Sequence, residues 1–166
     1  MHLRIRVLTL PLVKIFGRWF EVNVEPNARL LDANANRCRE GIRTAEDFIR
    51  FAVGDARWVA RLRTARHQVT ADLHGCLATD RLVRGRRAGT DVGHPEHTEA
   101  EVASGAGCSK EVAVRGLKRA QEALRVLEEY TRDVHGEVSR RFSALRFGLY
   151  EAEQWLVLGS DAARIL

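Results

Sequence analysis

The amino-acid sequence predicts an all-α protein, built as a pseudo-twofold pair of antiparallel helical hairpins that form a four-helix core. Three observations support this prediction: an internal repeat, a helical spacing of apolar residues in each repeat, and a glycine in the short turn of each hairpin. A chain of 166 residues suits one domain. Such a domain buries roughly two-thirds of its unfolded surface, so folding requires neither disulfides nor a metal.

The internal repeat aligns RCREGIRTAEDFIR (residues 37–50) with RAQEALRVLEEYTR (residues 119–132) at an offset of 82. Beyond the turn the offset becomes 83, which a single-residue insertion explains. We therefore expect residues 33–77 and 115–158 to form like hairpins. The identical pairs in the aligned segments are all charged: Arg37/Arg119, Glu40/Glu122, Arg43/Arg125, Glu46/Glu128 and Arg50/Arg132.

The first hairpin is predicted from apolar residues that recur every three or four positions, which places them on one face of a helix. Asp32 or Asn34 could cap the start of its long helix, Gly54 is placed to end it, and Asp55 can cap the return helix. The predicted core residues are Leu31, Ala35, Cys38, Ile42, Ala45, Ile49 and Ala52, then Val59, Leu62, Ala65, Val69, Leu73 and Cys76.

The second hairpin shows the same periodicity on both sides of Gly136 and ends at Gly159. Small residues at several of these positions would allow the two long helices to approach closely. The predicted core residues are Ala113, Leu117, Ala120, Leu124, Leu127, Thr131 and Val134, then Val138, Phe142, Leu145, Leu149, Ala152 and Leu156.

Three segments lie outside the predicted hairpins. Residues 1–28 are expected to form a flexible arm or a small β-hairpin in which LRIRVLT pairs with RWFEVNV. Residues 79–112 form a glycine-containing connector that carries the basic cluster RLVRGRR. A connector of this length is commonly functional. Residues 160–166 form a C-terminal tail, which leaves 29–159 as the helical domain.

The net charge of +5 is concentrated in residues 1–31 and 81–95, each of which has three more basic than acidic side chains. A phosphate-bearing small molecule explains a patch of this size as well as nucleic acid does, so we do not expect a nucleic-acid partner. No apolar run approaches the roughly 18 residues that span a bilayer, so we expect no membrane partner. Three cysteines without a CxxC pair favour a reducing, cytoplasmic location.

A polar stripe runs along each long helix and has two interpretations. It could be an exposed ladder of salt bridges. Alternatively, both stripes could line one site between the long helices, where partly buried arginines bind phosphate and carboxylates hold the arginines or Mg²⁺. The usual nucleotide and hydrolase motifs, GxxxxGK[ST], GxGxxG and GxSxG, are absent. The stripes are Asn36, Glu40, Arg43, Asp47 and Arg50, and Lys118, Glu122, Arg125, Glu129 and Arg132.

Five segments occur in a characteristic order: LLDANANRCREGIRTAEDFIRF, LRTARH, DVG, LKRAQEALRVLEEY and LRFGLYEAE. Together they resemble the helical hydroxymethylpyrimidine phosphate kinase domain that is found fused ahead of bacterial thiamine-phosphate synthase. The resemblance covers roughly residues 29–158. The connector departs from the family pattern RDTxGDVGT: Arg86 and Asp91 fit it, whereas Arg87, Ala88 and His94 do not.

This resemblance implies that ATP and Mg²⁺ are used to convert 4-amino-5-hydroxymethyl-2-methylpyrimidine phosphate to its diphosphate. It implies catalytic roles for Glu40, Asp91 and Glu122, and makes Asp91 and Glu122 candidate metal ligands. The alternative is a non-catalytic binding or regulatory module for phosphorylated thiamine precursors that partners thiamine-phosphate synthase. A homodimer is left open. The implied phosphate-binding residues are Asn34, Asn36, Arg37, Arg43, Arg86, Lys118 and Arg125.

Overall fold

The computed structural model describes residues 12–15, 18–21, 24–86 and 109–159. The predicted all-α class is confirmed, with a small β-hairpin ahead of the helices. No helix in these ranges is long and apolar enough to cross a membrane. The elements are β1 (Leu12–Ile15), β2 (Arg18–Glu21), α1 (Val24–Phe48), a π-helical turn (Ile49–Val53), α2 (Ala56–Cys76), α3 (Thr79–Arg84), α4 (Ser109–Thr131) and α5 (Gly136–Leu158).

The four long helices share one core. α1 packs most extensively against α4, α2 packs on α1, and α5 packs on both α4 and α2. The short helix α3 lies against α1. Most of the apolar residues predicted from the helical spacing are buried here, and the largest fully buried ones are Ile42, Ile49, Leu62, Leu73, Leu117, Leu124, Leu127, Phe142, Leu149 and Leu156.

α1 and α4 cross in close contact at Gly41 and Gly116. A Cβ atom added at Gly116 would lie 2.8 Å from the carbonyl oxygen of Gly41, and one added at Gly41 would collide with the carbonyl oxygen of Gly116. Gly41 also faces Ala120, whereas Thr44, one turn later on α1, faces Gly116. One turn forward on α1 thus corresponds to one turn back on α4, so the helices run antiparallel. The close approach predicted from small residues is present.

The turn between α1 and α2 follows the sequence prediction at two residues and departs from it at a third. Gly54 has φ +82°, and its N–H donates to the Ile49 carbonyl oxygen at 2.7 Å. The Trp58 N–H donates to Asp55 Oδ1 at 3.0 Å, so Asp55 caps α2. Ala52, a predicted core residue, is exposed, whereas Val53 packs on the core. The wider π-helical turn rotates the chain and changes which side chain faces inward.

Two further predictions at helix ends are wrong. Neither Asp32 nor Asn34 caps α1, because α1 begins eight residues before Asp32, at Val24. Val134 is not a core residue: α4 ends at Thr131, and Val134 is 64% exposed. The apolar spacing continues past the end of α4, so spacing alone wrongly predicted that Val134 is buried.

The N-terminal hairpin forms with a different first strand from the predicted one. β1 pairs antiparallel with β2, and Val13 lies opposite Phe20. RWFE therefore pairs with LVKI, and LRIRVLT lies outside the described residues. The predicted arm and connector are both shorter than expected, because residues 24–28 belong to α1 and residues 109–112 belong to α4.

Candidate functional site

Two buried glutamates anchor arginines at equivalent positions in the two hairpins. Glu46 is 1% exposed and accepts hydrogen bonds from Arg63 Nε at 3.1 Å and Arg66 Nε at 3.2 Å. Glu128 is 7% exposed and accepts from Arg146 Nε and Nη2 at 3.1 and 2.9 Å. Buried carboxylates require such partners. They hold the arginines in fixed orientations.

A groove between α4 and α5 brings several of the predicted site residues together. Its volume is about 450 Å³, within the usual range for small-ligand sites of ≈ 300–1,000 Å³. α4 contributes Lys118, Gln121, Glu122 and Arg125, and α5 contributes Tyr150. Lys118, Glu122 and Arg125 were predicted. They share one outer face of α4 because they are three or four residues apart.

One end of this groove is organised by Glu153 of α5. Gln121 Nε2 donates to Glu153 Oε2 at 2.7 Å and to the Leu149 carbonyl oxygen at 3.3 Å. Lys118 Nζ lies 3.8 Å from Glu153 Oε1, and the Lys118 side chain is 60% exposed. The ammonium group is thus held loosely at the groove and stays accessible to an anion.

The other end of the groove is built around Arg125, whose side chain is 52% exposed. Arg125 Nη1 donates to Glu128 Oε1 at 3.0 Å, and its Nη2 lies 2.6 Å from Glu129 Oε1. Arg146 Nη1 donates to the Tyr150 hydroxyl at 3.0 Å. That bond, with a further contribution from Glu128, raises the pKa of Arg146. Two fixed guanidinium groups therefore border the Tyr150 side of the groove.

Glu122 lies between Lys118 and Arg125 along α4. It is exposed and has no ion-pair partner among the described residues. A free carboxylate beside two cations can accept a hydrogen bond from a hydroxyl group while the cations bind phosphate. Mg²⁺ commonly uses one or two carboxylates plus substrate phosphates. Glu122 is the groove carboxylate that could take part in such a site. Residues 27–86 and 109–159 contain no group of three or more His, Cys, Asp or Glu side chains placed to hold a metal ion.

The equivalent arginine of the first hairpin does not join this groove. Arg43 is 53% exposed, and its Nε donates to Asp47 Oδ2 at 3.0 Å, which raises the pKa of Arg43. Gly41 faces α4, and Arg43 follows it by two residues, about 200° around the helix, so it points away from α4. Arg125 follows Gly116 by nine residues and lies about 180° from the α1–α4 contact.

Arg43 and Arg125 therefore do not line one site at the α1–α4 contact, as one of the two interpretations of the polar stripes required. The long helices meet through glycine and alanine at van der Waals distance, which leaves no room for charged side chains at the crossing. The salt-bridge ladder describes the outer faces better. Its i to i+3 and i to i+4 pairs include Arg43–Asp47, Arg125–Glu129 and Arg132–Glu129.

The remaining predicted residues are dispersed. Arg37 and Glu40 are exposed on α1. Asn34 is buried and donates from Nδ2 to the Leu30 carbonyl oxygen at 2.9 Å. Asn36 Oδ1 accepts a hydrogen bond from Arg39. Both the Asn34 and Asn36 amides therefore already have partners within α1.

An ion pair at the start of the connector joins it to α1. Arg86 donates to Asp32 through Nε at 2.6 Å and Nη2 at 3.0 Å, and Asp32 is 6% exposed. These bonds raise the pKa of Arg86. Asp91, the predicted catalytic and metal-binding residue of the connector, lies outside the described residues.

Two groove residues, Gln121 and Glu153, were not predicted from the sequence. Gln121 stands in the repeat at the position of Arg39, and Glu153 at the position of Thr70, so neither could be found by looking for identical pairs. Tyr150 lies in the segment LRFGLYEAE, but the segment by itself assigns it no role. Only the packing of α5 on α4 brings these three side chains together.

A family model described as the ThiD2 family matches residues 29–155. The chain belongs to this family. The five segments predicted membership in a thiamine-biosynthesis family, and that prediction is confirmed.

Curated relatives extend the match. The thiamine-phosphate synthase of Synechococcus sp. (strain CC9605) is 36% identical over 138 residues, which are 80% of this chain and 36% of the relative. The thiamine-phosphate synthase of Parasynechococcus marenigrum (strain WH8102) is 37% identical over 138 residues, which are again 80% of this chain and 36% of the relative. That of Rhodopirellula baltica is 36% identical over 122 residues, 74% of this chain and 32% of the relative. The chain thus spans about a third of these relatives. No solved structure matches it.

Proposed function

We propose that this chain phosphorylates 4-amino-5-hydroxymethyl-2-methylpyrimidine phosphate to the diphosphate with ATP, as a step in thiamine biosynthesis. The observation that carries the proposal is the convergence of Lys118, Glu122 and Arg125 on one groove. Membership of the ThiD2 family and the name thiamine-phosphate synthase of its relatives support the pathway.

Phosphoryl transfer requires positioning and charge neutralisation more than covalent chemistry by the protein. Lys118 supplies an accessible ammonium group, and Arg125 supplies a guanidinium group that Glu128 and Glu129 hold in place. Because Arg125 is already oriented, it loses less side-chain freedom when it binds a phosphate oxygen. These two residues would hold the existing phosphate of the substrate.

The reacting group of the substrate is an oxygen of its existing phosphate, because the hydroxymethyl oxygen is already esterified, and ADP leaves as the phosphoryl group moves from ATP to that oxygen. Glu122 would lie beside this phosphate. When bound, Mg-ATP supplies the phosphoryl group and neutralises its charge, and Glu122 is the groove carboxylate that could approach the ion. Asn34, Asn36, Arg37, Glu40, Arg43, Arg86 and Asp91 are not part of the groove as described, and their implied roles stay predictions.

The test is an assay of purified chain with the pyrimidine phosphate and saturating Mg-ATP, in which ³¹P NMR follows formation of the diphosphate. Added thiamine-phosphate synthase then consumes the product in a coupled assay. We expect turnover of the phosphate but no diphosphate from the unphosphorylated alcohol, because the existing phosphate supplies both the attacking oxygen and the binding energy that positions it. Absence of diphosphate from well-folded protein would overturn the proposal.

A non-catalytic binding module is the second candidate. It is favoured by the exposure of the groove cations, since Lys118 and Arg125 are more than half exposed in a groove that does not exclude water. Isothermal titration with the pyrimidine phosphate, in the presence and absence of Mg-ATP, separates the two candidates. Tight binding without turnover identifies a binding module, whereas turnover identifies the kinase.

A further inference from the structure

The Tyr150 hydroxyl accepts a hydrogen bond from Arg146. Tyr150 lines the α4–α5 groove and is 41% exposed. Arg146 Nη1 donates to its oxygen at 3.0 Å. A guanidinium group can only donate, so the phenol oxygen accepts in this bond and its own O–H is left to donate elsewhere. Among the described residues, no acceptor pairs with that O–H.

Three neighbouring side chains constrain the position of Tyr150. Arg146 is 12% exposed and makes two hydrogen bonds to Glu128 Oε2. Phe147 meets the Tyr150 ring edge-on, with ring centroids 5.6 Å apart. Glu128, Arg146 and Phe147 together restrict where the phenol can move. A hydroxyl held in this way pays little entropy to bind a ligand.

We propose that the Tyr150 hydroxyl donates a hydrogen bond to the phosphate of the bound pyrimidine phosphate, beside Lys118 and Arg125. Glu128 is a positioning residue that acts on Tyr150 through Arg146 and also holds Arg125 directly. This inference names a further ligand of the site and rests on the substrate class of the proposed function. The phosphate is its target because the cations on the same groove draw an anion to the neighbourhood of the phenol.

The first hairpin does not reproduce this arrangement. The glutamate–arginine pair is present as Glu46 and Arg63, but His67 replaces Tyr150 and Asn36 replaces Lys118. The structure shows Arg63 bonded to Glu46 and not to His67. Within the described residues, the first hairpin therefore lacks counterparts of Tyr150 and Lys118.

The test compares Tyr150→Phe with Tyr130→Phe, which removes the same hydroxyl from the chain's other tyrosine, an exposed residue of α4 outside the groove. Isothermal titration measures binding of the pyrimidine phosphate and of its unphosphorylated alcohol. Loss of one hydrogen bond to a charged group should weaken phosphate binding by about tenfold or more in Tyr150→Phe. Alcohol binding and Tyr130→Phe should match the wild type. Wild-type phosphate affinity in Tyr150→Phe would overturn the proposal, as would an equal loss for both ligands.

A second readout uses ring-labelled tyrosine NMR, in which each of the two signals is assigned by its absence in one variant. Inorganic phosphate should shift the Tyr150 signal and leave the Tyr130 signal in place. Glu128→Gln, which keeps the side-chain size, should reduce that response through both Arg146 and Arg125 while alcohol affinity is retained. If saturating phosphate leaves the Tyr150 NMR signal in place, the inference is overturned.

Both readouts measure binding, so they separate this inference from the proposed function. Tyr150-dependent phosphate binding without turnover would support the inference and overturn the kinase. Turnover with unaltered phosphate binding in Tyr150→Phe would do the reverse.

Discussion

Glu46 and Glu128 are equivalent residues of the two hairpins, and each accepts a hydrogen bond from the equivalent arginine of its return helix. The partners are Arg63 at 3.1 Å and Arg146 at 2.9–3.1 Å. Both carboxylates are buried, at 1% and 7% exposure. The repeat thus duplicates a buried polar contact as well as an apolar core, and this contact has a measurable consequence for stability.

Glu46→Ala should lower the free energy of unfolding by about 3 kcal/mol, because it leaves the largely buried Arg66 and the half-exposed Arg63 without their shared carboxylate. The control is Glu137→Ala, which removes the exposed ion pair with Arg140 and should cost less than about 1 kcal/mol. Urea denaturation measures both. Equal effects would show that the burial of Glu46 has no energetic role.

Gly116→Ala should destabilise the protein by about 1–3 kcal/mol or more, since its Cβ would lie 2.8 Å from the Gly41 carbonyl oxygen, a backbone atom that cannot move alone. Gly75→Ala is the matched control within a helix, because nothing lies within 4 Å of the added Cβ. It should stabilise α2 by up to about 1 kcal/mol. Thermal unfolding of the two variants should therefore shift in opposite directions, and a shift in the same direction would contradict the close crossing.

Arg125→Ala should lower diphosphate formation by about one to two powers of ten, because a charge-assisted bond to phosphate contributes about 1.5–3 kcal/mol. Arg140→Ala removes an arginine from the exposed start of α5, outside the groove, and should leave the rate unchanged. Initial rates at several substrate concentrations measure the effect. Similar losses in both variants would point to general charge attraction rather than to this groove.

Cys38 should make stability fall at high pH. Burial raises the pKa of its thiol to about 12, from an ordinary value of 9.0. Above pH 9 the unfolded chain releases this proton before the folded protein does, so the free energy of unfolding falls by up to about 1.4 kcal/mol per pH unit until the folded pKa is reached. Below pH 9 this contribution is constant.

The measurement is urea denaturation of the wild type and Cys38→Ala between pH 8 and pH 10.5. The difference between the two proteins isolates Cys38 from the other groups that titrate in this range. We expect the free energy of unfolding of the wild type to fall relative to that of Cys38→Ala as the pH rises. A constant difference would mean that the Cys38 thiolate is tolerated in the folded protein.

The fold was largely predictable because helical spacing and the repeat are local signals. Gly54 and Asp55 have the predicted roles since their chemistry acts within a few residues. The prediction that Ala52 is buried was wrong because a π-helical turn alters the angle per residue, which no apolar pattern encodes. The prediction that Asp32 caps α1 was wrong because the helix begins at Val24, and the Asp32 carboxylate instead pairs with Arg86, 54 residues away.

The candidate site was predictable only in part. Lys118, Glu122 and Arg125 share a helix face, so spacing alone groups them. Gln121 and Tyr150 join them only through the packing of α5 on α4. The separation of Arg43 from Arg125 follows from the glycine contact between α1 and α4, which the positions of small residues indicated without fixing its orientation.

The antiparallel crossing of α1 and α4 has an evolutionary consequence. Equivalent surfaces that meet across a twofold axis are the hallmark of a symmetric homodimer. Duplication of one hairpin subunit, followed by joining of the two copies, would produce this crossing. Once joined, the two copies can differ in sequence. Lys118 occupies the position equivalent to Asn36, and Tyr150 the position equivalent to His67. Covalent linkage would have released one half for a new task while the other preserved the scaffold.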